Sequence, residues 1–249
     1  MNPEPQPEPD NQPLRVMTFN ILHGAASGLD LSRIAAVITE ADADVVGLQE
    51  VDDATERAQG HHQAAELAAL TGLEHFYFGP AFAFQGGYYG GAILSRYPLS
   101  DPRVVHLDDH TEQVGELEPR IAILAEVDVD GESVTFGTLH ASLDPTERAA
   151  TGPIVLAEID DPSRAIIVGD FNEAPGESIG ASIAGAGMAD AWAELHPTAP
   201  GYTQPALAPR NRIDFIFRGA ALGATTAAWV PNTIASDHRP VVAVIPIGG

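Results

Sequence analysis

Hydrophobic positions along this chain change spacing from segment to segment. Residues 14–20 form a dense apolar run that suits a strand, whereas residues 31–41 carry Ile34, Val37 and Ile38 at helical spacing. Residues 45–49 return to strand character and end at Glu50, so the opening reads strand, helix, strand, the start of a layered α/β fold. Residues 61–71, rich in Ala and Leu and closed by Gly72, predict a second helix that starts at the surface with His61-His62. Adjacent helical residues do not share a face, so a surface start is preferred there to a metal pair. Strands are expected at residues 91–94 and 104–107. Residues 120–129 and 132–139 flank Asp130-Gly131, the strongest hairpin signal in the chain. Residues 146–159 read as a helix that Gly152-Pro153 should break or kink. Residues 178–186 predict a short helix, and residues 212–217 and 241–247 close the chain as strands. No segment repeats.

One strand stands out, Ile166-Ile167-Val168-Gly169-Asp170-Phe171-Asn172. Its aliphatic residues suit a strand buried on both faces, and Gly169 permits a close turn, so Asp170 and Asn172 should emerge together at a strand terminus. Taken alone, this could be a solvated turn. Other strands end in the same way: Asn20 follows Met17-Thr18-Phe19, Glu50 follows Leu48-Gln49, and His140 follows Thr138-Leu139. Asp214 lies within Arg212-Ile213-Asp214-Phe215, and Asp237-His238 within Ser236-Asp237-His238-Arg239-Pro240. Strand ends are where open α/β sheets bind ligands. Carboxylate and amide oxygens in such a set suit Mg²⁺ or Mn²⁺ better than Zn²⁺.

Composition narrows this picture. With 249 residues and 45% hydrophobic residues the chain can bury a large core, and no internal linker is visible, so one domain over residues 14–249 is expected. Residues 1–13, rich in Pro and Glu, read as an extended, disordered tail. Cysteine is absent, which excludes disulfides, thiolate metal sites and a cysteine nucleophile. The net charge is −23, and all 12 basic residues are arginine. That balance argues against tight passive binding of nucleic acid but leaves cleavage open, because divalent cations screen a polyanionic substrate. It fits equally a salty medium or a GC-rich genome with an ordinary acidic surface. No apolar run is long enough for a signal peptide or a membrane span. The expectation is a soluble protein, cytoplasmic or an exported mature form lacking its signal peptide.

Taken together, GDFN, SDHRP, LQE and RIDF resemble the motifs of the endonuclease/exonuclease/phosphatase superfamily of DNase I-like, exonuclease III-like and sphingomyelinase-like metal-dependent phosphohydrolases. The resemblance spans about residues 14–247, with the segments in the family's order. It implies a four-layer α/β sandwich, two packed mixed β-sheets flanked by helices, with the site at one edge of the sheets. It also implies roles. Glu50 resembles the principal metal carboxylate, with Asn20 and Asp237 near the same Mg²⁺ or Mn²⁺ ion. Asp170 and Asn172 match the pair that positions the attacking water and the phosphate or binds a second metal. His238 matches the histidine that deprotonates the water or stabilises the phosphate, and Asp214 its orienting partner. His140 matches a second histidine that contacts the phosphate or helps protonate the leaving oxygen. Arg120, in Glu118-Pro119-Arg120, falls near the family's phosphate-binding arginine.

Departures are also visible. Where many members carry Asn or Glu just before Ala92, this chain has Gly90-Gly91, so the role of that side chain is missing or moved. Tyr88 and Tyr89, between glycines, are candidates to rim the site and stack on substrate. No lesion-recognition insert, lysine-rich DNA clamp or extended lipid-binding hairpin is evident. The resemblance implies a DNase-like nuclease acting on DNA or RNA as a monomer, with no stable protein partner. The alternatives are a lipid or small-molecule phosphoester hydrolase and, in another class, a catalytically inactive binding module of the same fold.

Overall fold

The computed structural model describes residues 13–110, 112–113 and 117–248. The first half of the chain runs β1 (Pro13–Asn20), a 3-10 turn (Leu22–Ser27), α1 (Leu31–Glu40), β2 (Val45–Asp53), α2 (Gln63–Thr71), β3 (His75–Phe84), β4 (Gly87–Ser95) and β5 (Leu99–His106). The second half runs β6 (Ile121–Val129), β7 (Glu132–His140), α3 (Pro145–Ala157), β8 (Ala165–Asp170), α4 (Ser178–Gly185), β9 (Ala189–Asp190), α5 (Ala191–Leu195), β10 (Asp214–Arg218), β11 (Ala227–Trp229) and β12 (Val241–Pro246). Residues 1–12 of the expected tail lie outside the described residues, and Pro13 pairs with Pro246 in β1.

The strands form two six-stranded sheets, ordered β11-β12-β1-β2-β4-β3 and β5-β6-β7-β8-β10-β9. Each holds one parallel pair, β1 with β2 and β7 with β8, joined by the crossover helices α1 and α3. The sheets face each other through Val16, Val45 and Ile93 on one side and Ile123, Phe136, Ile166 and Val168 on the other. Their approach is close because Gly47 has no side chain: a Cβ there would lie 2.5 Å from Val168 Cγ2. Ile34, Ile38 and Leu67 of α1 and α2 cover the outside of the first sheet, and Val155, Ile179 and Ile183 of α3 and α4 cover the second. The result is the expected four-layer sandwich.

This topology brings strand ends to one edge. The parallel pairs finish there with Asn20 and Gln49 in one sheet and with His140 opposite Asp170 in the other. The antiparallel β10 starts there, Asp214 opposite Asp170, and β12 is entered through Asp237-His238.

Some elements depart from the sequence pattern. The helix over 146–159 is not broken; α3 continues through Pro153, and Gly152 is where it meets α4, since a Cβ there would lie 2.6 Å from Ser182 Cβ. The strand β3 was hidden because Gly79 and Pro80 interrupt its alternation, and the register shifts between Pro80 and Phe82. Arg212 precedes β10 rather than lying within it, and it forms a buried ion pair with Asp190 at 2.9 Å. Asp130-Gly131 does turn the β6–β7 hairpin, both residues having positive φ (54° and 93°). Among the described residues no helix is long and apolar enough to cross a membrane.

Candidate active site

Glu50 leaves its strand on a bulge. Gln49 pairs with Gly91 and Val51 with Gly90, so Glu50 is the extra residue, with φ 55°. The glycines opposite have no room for side chains: a Cβ on Gly90 would lie 2.0 Å from Gly79 O, and one on Gly91 2.9 Å from Leu48 O. The departure noted at Gly90-Gly91 is thus a packing requirement of the bulge and of β3. Directly beneath, Gln49 Nε2 donates to Thr138 Oγ1 at 2.8 Å and to Thr18 Oγ1 at 3.1 Å, a buried polar tie between the two sheets.

Asn20 is fully buried and joins the halves of the site. Its Nδ2 donates to Glu50 Oε1 at 2.9 Å and to Asp170 Oδ2 at 3.1 Å, while its Oδ1 accepts from Leu22 N at 3.1 Å. Asp170 also accepts from Asn172 N at 3.0 Å, and the Asn172 amide donates to Ala141 O at 2.9 Å, which holds that residue at φ 51°. His238 Nε2 lies 3.7 Å from Asp170 Oδ2, and its Nδ1 faces Asp214 Oδ2 at 2.9 Å. His140 Nε2 approaches the same Asp170 oxygen at 3.6 Å. Eight of the nine residues expected from the sequence lie in this contact network or behind it. The ninth, Asp237, is half-buried, accepts from Ser236 Oγ at 3.3 Å, and acts on His238 through its charge.

The surroundings set the charges. Burial alone would raise the Glu50 carboxyl, but the facing His23 imidazole, any charge on His140, the Asn20 amide and Arg120 outweigh it and bring it down to about 2. Burial pushes Asp170 up to about 7; the charge of His238 opposes this and that of Asp214 adds to it. Burial also works against charge on His238, yet the carboxylates of Asp214 and Asp170 prevail and raise it to about 10. His140 goes the other way, held well below the usual imidazole range by burial and the Arg120 charge.

Arg120 stands behind His140 rather than at the site's mouth. Its Nη1 donates to His140 Nδ1 at 2.9 Å and its Nη2 pairs with Glu118 Oε2 at 3.3 Å, with 7% of the side chain exposed. A guanidinium can only donate, and this Nη1 also lies 3.3 Å from His140 Nε2, so Arg120 faces the ring as a donor to a neutral imidazole. Tyr89 is buried at 4% exposure and packs on Phe82 at 5.5 Å, so it is not a stacking platform; Tyr88 is half exposed.

A cluster of oxygens around a buried amide has the chemistry of a hard-cation site. Glu50 remains ionised, and Asp170 is a second carboxylate on the same Asn20 amide. Asp170, Asp214 and His238 also offer ligand atoms within 4.8 Å of one another, although both Asp214 oxygens are engaged by His238 Nδ1. These donors fit Mg²⁺ or Mn²⁺. Sequence reasoning missed His23, whose Nδ1 is buried 3.8 Å from Glu50 Oε2 without a hydrogen-bond partner among the described residues, and Gln63, which anchors the His23 backbone at 2.8 Å. A histidine followed by glycine just after Asn20 was the available signal.

The fold is that of a phosphohydrolase family. A family model matches residues 17–238, and the chain belongs to the Endonuclease/Exonuclease/phosphatase family, whose members are phosphoester hydrolases. It is similar to the uncharacterized protein YbhP of Escherichia coli K12, 26% identical over 247 residues, covering 93% of this chain and 95% of the relative. The crystal structure of an endonuclease/exonuclease/phosphatase from Beutenbergia cavernae has a TM-score of 0.76 at 26% identity, covering 96% of this chain and 72% of that one. A mannosyl-6-phosphatase from Bacteroides thetaiotaomicron has a TM-score of 0.74 at 17% identity, covering 93% and 99%, and shares the fold.

Proposed function

We propose that this protein hydrolyses phosphoesters with the help of Mg²⁺ or Mn²⁺ held by Glu50, with Asn20 and Asp237 beside it. The observation that carries this reading is Asp170 within 3.7 Å of both site histidines and hydrogen-bonded to Asn20 at 3.1 Å. When bound, the cation supplies charge to the non-bridging oxygens of the phosphate. The chain supplies the rest. Asp170, 3.7 Å from His238 Nε2, takes the proton of an attacking water, while the charged ring of His238, fixed by Asp214, stabilises the phosphate. His140, neutral and held by Arg120, donates a hydrogen bond to a phosphate oxygen.

The surface charge favours a small phosphoester. Eight arginines, Arg15, Arg57, Arg96, Arg103, Arg120, Arg164, Arg212 and Arg218, are paired with carboxylates, which leaves little basic surface to track a polynucleotide. The second reading, a nuclease on DNA or RNA, is favoured by the half-exposed Tyr88, which pairs with Asp53 on the strand that carries Glu50 and offers a face for a base. Assays on bis(4-nitrophenyl) phosphate, sugar phosphates, a lysophospholipid-type phosphodiester and plasmid DNA, each with Mg²⁺ and Mn²⁺, rank these substrates. Glu50→Ala and His238→Ala should each lower turnover by about a hundredfold or more with the fold retained. Undiminished turnover in either variant would refute the assignment.

A further inference from the structure

Glu50 faces a histidine that the motifs of the site do not include. His23 Nδ1 lies 3.8 Å from Glu50 Oε2, and each side chain keeps 19% of its surface exposed. That distance is too long for a hydrogen bond, and the buried nitrogen has no other partner among the described residues.

The backbone that aims His23 is unusual. Leu22, His23 and Gly24 are all left-handed, with φ of 46°, 41° and 77°, a conformation that residues other than glycine rarely adopt. Several contacts hold it there. Leu22 N donates to Asn20 Oδ1 at 3.1 Å, Gly24 N to Ile21 O at 2.9 Å, and the buried Gln63 Nε2 to His23 O at 2.8 Å. Gln63 Oε1 accepts from Asp52 N at 2.9 Å, so this one side chain ties the turn to the strand that carries Glu50. Glu50 is itself left-handed on its bulge. Two residues in rarely populated conformations, from separate elements, are thus directed at each other across a gap that neither closes. Such conformations persist where surrounding structure over-determines them, and they cluster at ligand-binding sites.

Two atoms bound to one divalent ion at about 2.1 Å each lie at most about 4.2 Å apart. The 3.8 Å separation falls within that limit. We propose that His23 Nδ1 and Glu50 Oε2 are ligands of the same divalent cation, and that the imidazole tilts the site from Mg²⁺ toward first-row transition ions such as Mn²⁺ and Co²⁺. The proposal rests on the reading of Glu50 as the metal carboxylate. Mg²⁺ takes oxygen ligands almost to the exclusion of nitrogen, whereas imidazole is a common ligand of the transition ions.

Calorimetric titration of the full chain with MgCl₂, MnCl₂ and CoCl₂ tests it in wild type, His23→Ala, His23→Gln and Glu50→Ala. Both His23 variants should weaken Mn²⁺ and Co²⁺ binding by about tenfold or more and change Mg²⁺ binding by less than about threefold. Pulsed EPR of the Mn²⁺-loaded wild type should carry a directly bound ¹⁴N coupling that His23→Gln removes. Equal weakening of all three ions, undiminished Mn²⁺ binding, or a coupling that persists in His23→Gln would overturn the proposal. Should neither variant fold, a wild-type spectrum without nitrogen coupling overturns it alone. If wild type binds none of the ions, the reading of Glu50 fails too; if Glu50→Ala abolishes binding while the His23 variants match wild type, only the role of His23 falls.

Discussion

Asp214 and His238 sit 2.9 Å apart and nearly out of solvent, and the Asp214 carboxylate favours charge on the ring. Because the folded protein raises His238 to about 10, the pair contributes stability that is fully present below the ordinary imidazole range and is lost as pH rises through about 10. In metal-free protein, NMR titration of the His238 ring should find the imidazolium persisting well above neutrality. Asp214→Asn should move that midpoint down toward the usual imidazole range, and a midpoint that does not move would mean that Asp170, not Asp214, holds the charge. The second histidine follows the opposite rule: burial, with the Arg120 charge, keeps His140 neutral. Residue types announced these two histidines and their acids, since each stands in a distinctive short motif. Their opposite protonation did not follow from the motifs, because it depends on which neighbour, a carboxylate or a guanidinium, the fold sets against each ring.

At the level of elements, β8 is the strand on which the second sheet's half of the site turns. All six of its residues are buried, and Asp170 ends it as the continuous aliphatic run predicts. Gly169 is the point of least tolerance. It has φ 149°, and a Cβ would lie 2.0 Å from Leu139 O on the neighbouring strand. Gly169→Ala should therefore destabilise the fold by roughly 3 kcal/mol or more, measured as the shift in a urea transition; an unshifted midpoint would show that β7 yields easily. Apolar runs and turn residues made most strands legible, as in β6 and β7 on either side of Asp130-Gly131. The strand β3 was not legible, since its pairing is set by β4 and tolerates Gly79 and Pro80 at a bulge. Nor was the cap of α4, where the buried Glu173 accepts from Ile179 N at 2.6 Å and Gly180 N at 3.0 Å, because a cap six residues upstream requires a loop that only packing defines.

Across the whole molecule, a net charge of −23 opposes compaction. Screening should relieve this: the melting temperature is expected to rise as KCl goes from about 0.01 M to about 1 M and the Debye length falls from about 30 Å to about 3 Å. A steady fall instead would mean that the surface ion pairs outweigh the repulsion, and it would sink any adaptation to high salt. By itself the sequence determined the layered α/β class, most of its strands, and eight polar residues at or near strand ends, because periodicity and strand termini are local properties of the chain. Only the tertiary structure decided which atoms meet. The parallel pairs β1–β2 and β7–β8 come from opposite halves of the chain, and their packing alone sets Asn20 between Glu50 and Asp170. It also set Arg120 against His140 and turned His23 toward Glu50. Those contacts depend on how two sheets stack and where a bulge or a left-handed turn is held, and neither is written in the spacing of residues along one strand.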